Sequence, residues 1–264
     1  MRAQFLLWCL LLPLALLAGE EPEPMVARPA AVVITPQPQA KAVDTQKAKL
    51  VVPPAGEIAP YAAKYEVRYG GLKVGEMTQQ LTERMNGQQT LQTVAYTTGV
   101  VSWLKNDTIT ERSIWRDEAG VMLPLSYTYR YSGRSKDVFE RLDFDWQAGI
   151  VKSLRDGKVT ELAVERGILD KHMHQLLLRR ELACGGRHFS YRVADRSKLK
   201  DHEYEVVGEE QVQTKALGNL DCLKVVKGDT IFWVARELDY LPVRIEKDEG
   251  GTLATSKIIE YQGH

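Results

Sequence analysis

Cysteine is scarce in this chain: three among 264 residues, at positions 9, 184 and 222, with no Cys-x-x-Cys pair. That excludes a dithiol redox centre and a cysteine-built zinc site. Net charge is also missing, since Lys plus Arg and Asp plus Glu each number 35. No long-range field steers the chain to nucleic acid or to an anionic surface, although a local patch needs no net charge. No phosphate loop, dinucleotide fingerprint or G-x-S-x-G elbow occurs, and Ser102, Ser126 and Ser190 stand outside any such motif. Nothing in the sequence therefore calls for a cofactor. The long apolar run, Phe5 to Ala18, falls short of the roughly 20 residues that a membrane span needs.

That run instead reads as a secretory signal. Arg2 precedes it, and Ala18 and Gly19 are small enough for cleavage near Glu20. Residues 1–19 are expected to be removed, leaving a periplasmic chain. Residues 20–60 hold eight of the eleven prolines and no aromatic residue. Such a segment cannot bury enough surface to offset its ordering entropy, so it reads as a disordered linker, either a spacer or an arm for an envelope partner. Residues 61–264 then form the folded domain.

One pattern organises that domain. Ile231 to Glu246 reads as two strands and a turn, with Leu241, Val243 and Ile245 alternating against Pro242, Arg244 and Glu246. The same unit occurs earlier, from Ile114 to Leu125. Nine positions separate Trp115 from Pro124 and Trp233 from Pro242. A spacing found twice predicts two similar antiparallel halves.

About a dozen short strands follow from period-2 alternation, with turns at Gly70-Gly71, Asn86-Gly87, Asp117 to Gly120 and Asp156-Gly157. Tyr127, Tyr129 and Tyr131 share one strand face. Helical spacing of Leu169, Met173, Leu176, Leu177 and Cys184 predicts one helix over 169–183, capped by Asp170 and stopped by Gly185-Gly186. Asp195 to Asp201 reads as a charged surface loop. The expected fold class is mainly β: a curved antiparallel sheet, as a half-barrel or two sheets, made of two similar halves and covered by one α-helix.

Candidate sites are few. His172 and His174 lie about 200° apart on a helix and are not arranged for a metal, so no metal is expected. Asp143 and Asp145 put two carboxylates on one strand face, which could serve acid–base chemistry or simply face solvent. If the leader is removed, Cys184 and Cys222 remain, and they can be a disulfide or two free thiols. A larger set is apolar. Trp115, Tyr127, Tyr129, Phe144, Trp233 and Leu241 would line the concave face, with Met173 and Leu176 above it, either as core or as the wall of a site for a lipid or apolar small molecule.

Several short motifs together support a resemblance. They are Gly71-Leu-Lys-Val-Gly-Glu76, Val101-Ser-Trp-Leu104, Phe144-Asp-Trp146, Asp170 with Gln175-Leu-Leu-Leu-Arg179, and Phe232-Trp-Val-Ala with Tyr240-Leu-Pro-Val-Arg-Ile245. The chain resembles the exported bacterial family catalogued as domain of unknown function 3108 (DUF3108), over about 61–262. That resemblance implies an envelope protein and brings no catalytic residues. The Trp-Val and Leu-Pro-Val-Arg-Ile unit is also similar, more distantly, to the strand pair of the lipoprotein-carrier and outer-membrane lipoprotein-sorting half-barrels. Those hold acyl chains in a concave face. The leading expectation is a non-enzymatic carrier of an apolar or lipid-like ligand. The alternatives are a structural or protein-interaction module, and an envelope hydrolase using Asp143, Asp145 or His174.

Overall fold

Alternation of inward apolar and outward polar side chains dictates strands through almost the whole of the domain. The computed structural model describes residues 56–263 apart from 105 and 135. The expected signal and nearly all of the expected linker therefore lie outside the described residues. The last linker residues, 56–60, lie inside them, and Ile58 is buried in the core.

In chain order the first strands are β1 (Tyr61–Tyr69), β2 (Leu72–Leu81) and β3 (Gln88–Thr97), followed by the short helix α1 (Val100–Leu104). Next come β4 (Thr108–Glu118), β5 (Val121–Ser132), β6 (Asp137–Asp145), β7 (Ile150–Arg155), β8 (Lys158–Ala163) and the two-residue β9 (Leu169–Asp170). Helix α2 (His174–Ala183) leads into β10 (His188–Asp195), β11 (Lys198–Thr214) and β12 (Gly218–Lys227). The chain ends through β13 (Thr230–Ala235), β14 (Leu241–Asp248) and β15 (Leu253–Gly263).

All fifteen strands belong to one curved sheet, in the order β8 to β1, then β15 down to β9. Apart from β8 and β9, neighbours in sequence are thus neighbours in the sheet, and β1 pairs with β15. The order is that of an up-and-down barrel opened between β8 and β9. Glycine matters at the tight hairpins: Asn86-Gly87 and Asp156-Gly157 carry positive φ at both residues, which fits the right-handed strand twist.

The repeated Trp…Pro unit has a structural meaning. Ile114 faces Ser126 and Trp115 faces Pro124, so Leu125 is skipped. Trp233 faces Arg244 and Val234 faces Pro242, so Val243 is skipped. Each half therefore has a β-bulge directly after its proline, a residue with no ladder N–H to give.

Three expectations need correction. The helix begins at His174, not 169, because Leu169 and Asp170 pair with Val193 and Ala194 on β10. β11 runs as one strand from 198 to 214, bent by a register shift between Val206 and Gly208, and takes in most of the expected surface loop. Asp195, assigned to that loop, is 3% exposed.

Candidate functional site

The chain leaves the outer sheet after β8 and threads its next stretch into the interior. Leu169 through His174 are all buried. Helix α2 continues the plug across one barrel end. Arg180 pairs with Asp117 at the foot of β4 at 2.9 Å. Arg179 donates to the carbonyls of Leu238 and Asp239 in the β13–β14 turn, and its guanidinium lies 4.8 Å from the ring centre of Tyr61.

Asp170 organises the plug. Its Oδ1 accepts the amide hydrogens of His172 at 2.9 Å and Met173 at 2.7 Å, and the Ser113 hydroxyl at 2.8 Å. The residue thus makes a turn just ahead of the helix it was expected to cap.

The barrel wall answers this plug with a polar belt. Gln79, Thr93, Glu111, Tyr129 and Glu140 are direct cross-strand neighbours on β2 to β6, and all are buried. A one-way hydrogen-bond chain runs through it. Tyr61 donates to Gln79 (2.8 Å), and the Gln79 amide donates to Thr93 (3.4 Å). Thr93 lies 2.7 Å from His172 Nε2, and His172 Nδ1 lies 3.3 Å from Ser113 Oγ. Every link has one donor and one acceptor when His172 is neutral with its proton on Nδ1.

The electrostatics follow from burial. Glu111, which accepts from Tyr127 at 2.5 Å, is pushed up to about 7, chiefly by desolvation against the pull of Lys171. Asp170 is pushed up to about 6 by desolvation, despite its three donors. Burial drives His172 down to about 3, with help from the charge of Lys171. Lys171, 3% exposed, is the cation of the belt. Its ammonium lies 3.9 Å from Glu140 and 3.8 Å from Asp195, and 4.6 Å from the ring centre of Tyr129.

A second polar group lies on the β10–β12 side. His174 Nε2 is 2.7 Å from the Tyr204 hydroxyl and 3.4 Å from His202 Nδ1. Lys227 Nζ is 3.0 Å from that same His202 nitrogen. Desolvation lowers His202 to about 4 and Lys227 to about 8. The rings of His172 and His174 therefore serve different walls of the barrel. Among the described residues no three His, Cys, Asp or Glu side chains are placed to hold a metal.

All eight residues singled out as a ligand wall are core. Trp115, Tyr127, Tyr129, Met173, Leu176 and Leu241 are at most 2% exposed, Trp233 4% and Phe144 8%. Two outer clefts are described, of about 450 Å³ beside Phe189, Glu203 and Tyr204, and about 500 Å³ beside Lys64, Gln80 and Tyr261. None of the eight lines either. Asp143 and Asp145 lie on the exposed face of β6, Asp143 paired with Arg141 at 2.8 Å, and His174 is inside the barrel. The structure does not bring those three together. Cys184 is exposed and Cys222 buried, and both are free thiols, so the disulfide is not formed.

Sequence reasoning missed the belt. Its signal was present: Glu111 and Ser113 occupy the inward phase of the alternation Ile109, Glu111, Ser113, Trp115. A carboxylate at an inward position marks a buried polar partner.

The family model described as "Protein of unknown function (DUF3108)" matches residues 64–255. No curated protein matches the chain. Among solved structures the chain is similar to the crystal structure of a β-barrel-like protein of domain of unknown function DUF1849 from Brucella abortus. Identity is 12%, the TM-score is 0.49, and the match covers 79% of this chain and 99% of the other.

Proposed function

The chain belongs to the DUF3108 family, and on that footing we propose that it is a non-enzymatic, exported structural or interaction module of the bacterial envelope, acting through its surface rather than through an interior ligand. One observation carries this reading: the barrel is filled by its own segment, Leu169 to Leu182. The eight aromatic and aliphatic residues that could have lined a lipid site pack as core around that segment. The groups with displaced pKa values support the same reading. Glu111, Asp170 and His172 are each at most 2% exposed and bonded to one another's neighbours. A general acid or base must reach a substrate proton, and these face only the plug. Export is supported by Arg2 and the apolar run from Phe5 to Ala18.

Native mass spectrometry of the protein purified from a bacterial envelope, followed by organic extraction, tests the reading. The expected result is the mass of the chain alone, with no uptake of a fluorescent fatty acid. A stoichiometric adduct extracting as lipid would overturn it and restore the carrier function, with α2 as a displaceable lid.

A further inference from the structure

Four lysines among the described residues turn their ammonium ends into the barrel, and three of them meet a carboxylate. Lys171 lies 3.9 Å from Glu140, Lys200 pairs with Asp195 at 2.5 Å, and Lys247 lies 3.3 Å from Glu249. Lys227 is the fourth, and no carboxylate among the described residues lies within ion-pair distance of it. Its Nζ sits 3.0 Å from Nδ1 of His202 and 5.4 Å from the ring centre of Tyr204. Lys227 closes β12, and the β12–β13 turn lies at the other end of β13 from the turn that Arg179 of α2 binds. The amine is therefore at the mouth away from that crossing. It is partly exposed, whereas His202 and Tyr204 beside it are 3% and 4% exposed.

We propose that Lys227, held as a free amine by His202, is a nucleophile that captures a small aldehyde as an imine. The hydrogen bonding favours the free amine. His202 Nε2 is buried and has no hydrogen-bond partner among the described residues. An ammonium only donates, so it needs a bare Nδ1, and a neutral imidazole then carries its hydrogen on Nε2, where it is stranded. A free amine accepts from Nδ1–H, leaves Nε2 bare and strands no donor. The surrounding charges agree. Burial lowers Lys227 to about 8, aided by the like charges of Lys200 and Lys247. Asp195 and Asp229 oppose this, but Asp195 is bound by Lys200 and Asp229 is exposed. Burial keeps the other neighbours neutral, driving the His174 and His202 imidazoles down and the Tyr204 phenol up. Such neighbours supply no charge to activate an ester or amide, which leaves the aldehyde, a carbonyl that a free amine attacks unaided. The lone pair adds to the carbonyl carbon, and one nitrogen proton passes to the oxygen. The second nitrogen proton leaves with that oxygen as water, and a C=N bond remains with no change of oxidation state.

This goes beyond the surface-acting role proposed above and does not rest on it. The full chain is treated with acetaldehyde and cyanoborohydride across a range of pH, and the modified lysines are mapped by peptide mass. Cyanoborohydride gives hydride to the C=N bond and fixes each imine as a secondary amine. Near neutral pH, Lys227 should be modified about tenfold or more faster than the exposed Lys158, Lys215 and Lys257. Its rate should level off above about 8, and its advantage should vanish in urea. His202→Gln offers an ammonium a carbonyl oxygen and strands no hydrogen, so the levelling-off should move to higher pH with the fold unchanged by circular dichroism. Lys227 reacting no faster than the three exposed lysines overturns the proposal, and this comparison needs only the wild-type chain. So does an advantage that survives in urea, or a His202→Gln chain that folds and keeps the wild-type pH profile.

Discussion

Ser113 on β4 donates its hydroxyl hydrogen to Asp170 in the plug at 2.8 Å, across 57 residues of chain. The contact ties the barrel wall to the segment that fills it. Both residues are fully buried, so neither can exchange the other for water. Replacing Asp170 with Ala strands the Ser113 hydroxyl and two amides and should cost about 3 kcal/mol. Asp170→Asn keeps an acceptor oxygen in place and should cost less. Urea midpoints of the two variants check the order, and equal losses would mean that Asp170 acts through shape rather than hydrogen bonding.

Glu111 gives the fold a pH dependence of known sign. Its pKa rises from 4.5 to about 7 on folding, so the folded state holds the proton more tightly. The stability it contributes is fully present below about 4.5 and is lost as pH rises through about 7. Asp170 acts in the same direction, with a folded value of about 6. His172 and His202 act oppositely. Their values fall from 6.5 to about 3 and about 4, so their contribution is present above 6.5 and lost as pH falls towards those values. Glu111→Gln should therefore flatten only the alkaline limb, gaining up to about 3 kcal/mol on wild type between acid and mildly alkaline pH. Urea unfolding across that range checks this, and an unchanged alkaline slope would count against a protonated Glu111.

The parts legible in the sequence are those with a strong period. Tyr127, Tyr129 and Tyr131 were placed on one face, and they are one buried face. The curved antiparallel sheet, its twofold Trp…Pro unit and the hairpin turns were legible for the same reason. What escaped were features that a period cannot encode. Leu169 and Met173 sit at helical spacing, but Asp170 captures the next amides and delays the helix to His174. The bulges at Leu125 and Val243 shift the phase after each proline without changing composition. Asp195 looks like a loop residue because its neighbours are charged. Its burial depends on Lys171, which is 24 positions away and contacts it only once the plug is inside.

Cys184 and Cys222 should differ sharply in reactivity. Cys184, at the end of α2, is exposed, whereas Cys222 is buried and its thiol is pushed up to about 12 by desolvation. The thiolate is the reactive form, so Cys222 is protected twice, by access and by protonation. Alkylation of the native protein should modify Cys184 quickly and Cys222 only on unfolding, as mapped by peptide mass. Two unreactive cysteines in the unfolded, unreduced protein would instead indicate a bond formed by rearrangement.

Lys171 is the sharpest test of how the open seam is held. Its ammonium sits between Glu140 on β6 and Asp195 on β10, strands that lie on opposite sides of the β8–β9 opening. Arg196 N–H also donates to Glu140 at 3.0 Å, so the same carboxylate is reached across the seam from the β10–β11 turn as well. Lys171→Met removes the ammonium from over the Tyr127 and Tyr129 rings and leaves buried Glu140 without a cation, while Asp195 keeps Lys200. That change should cost about 3–5 kcal/mol. Lys171→Met with Glu140→Gln removes the stranded charge and should recover part of the loss. Hydrogen exchange should show the loosening first in β8, β9 and the β10–β11 turn, before the β1–β15 pairing opens. Uniform loss of protection around the whole barrel would mean that Lys171 supports the core generally and does not latch the seam.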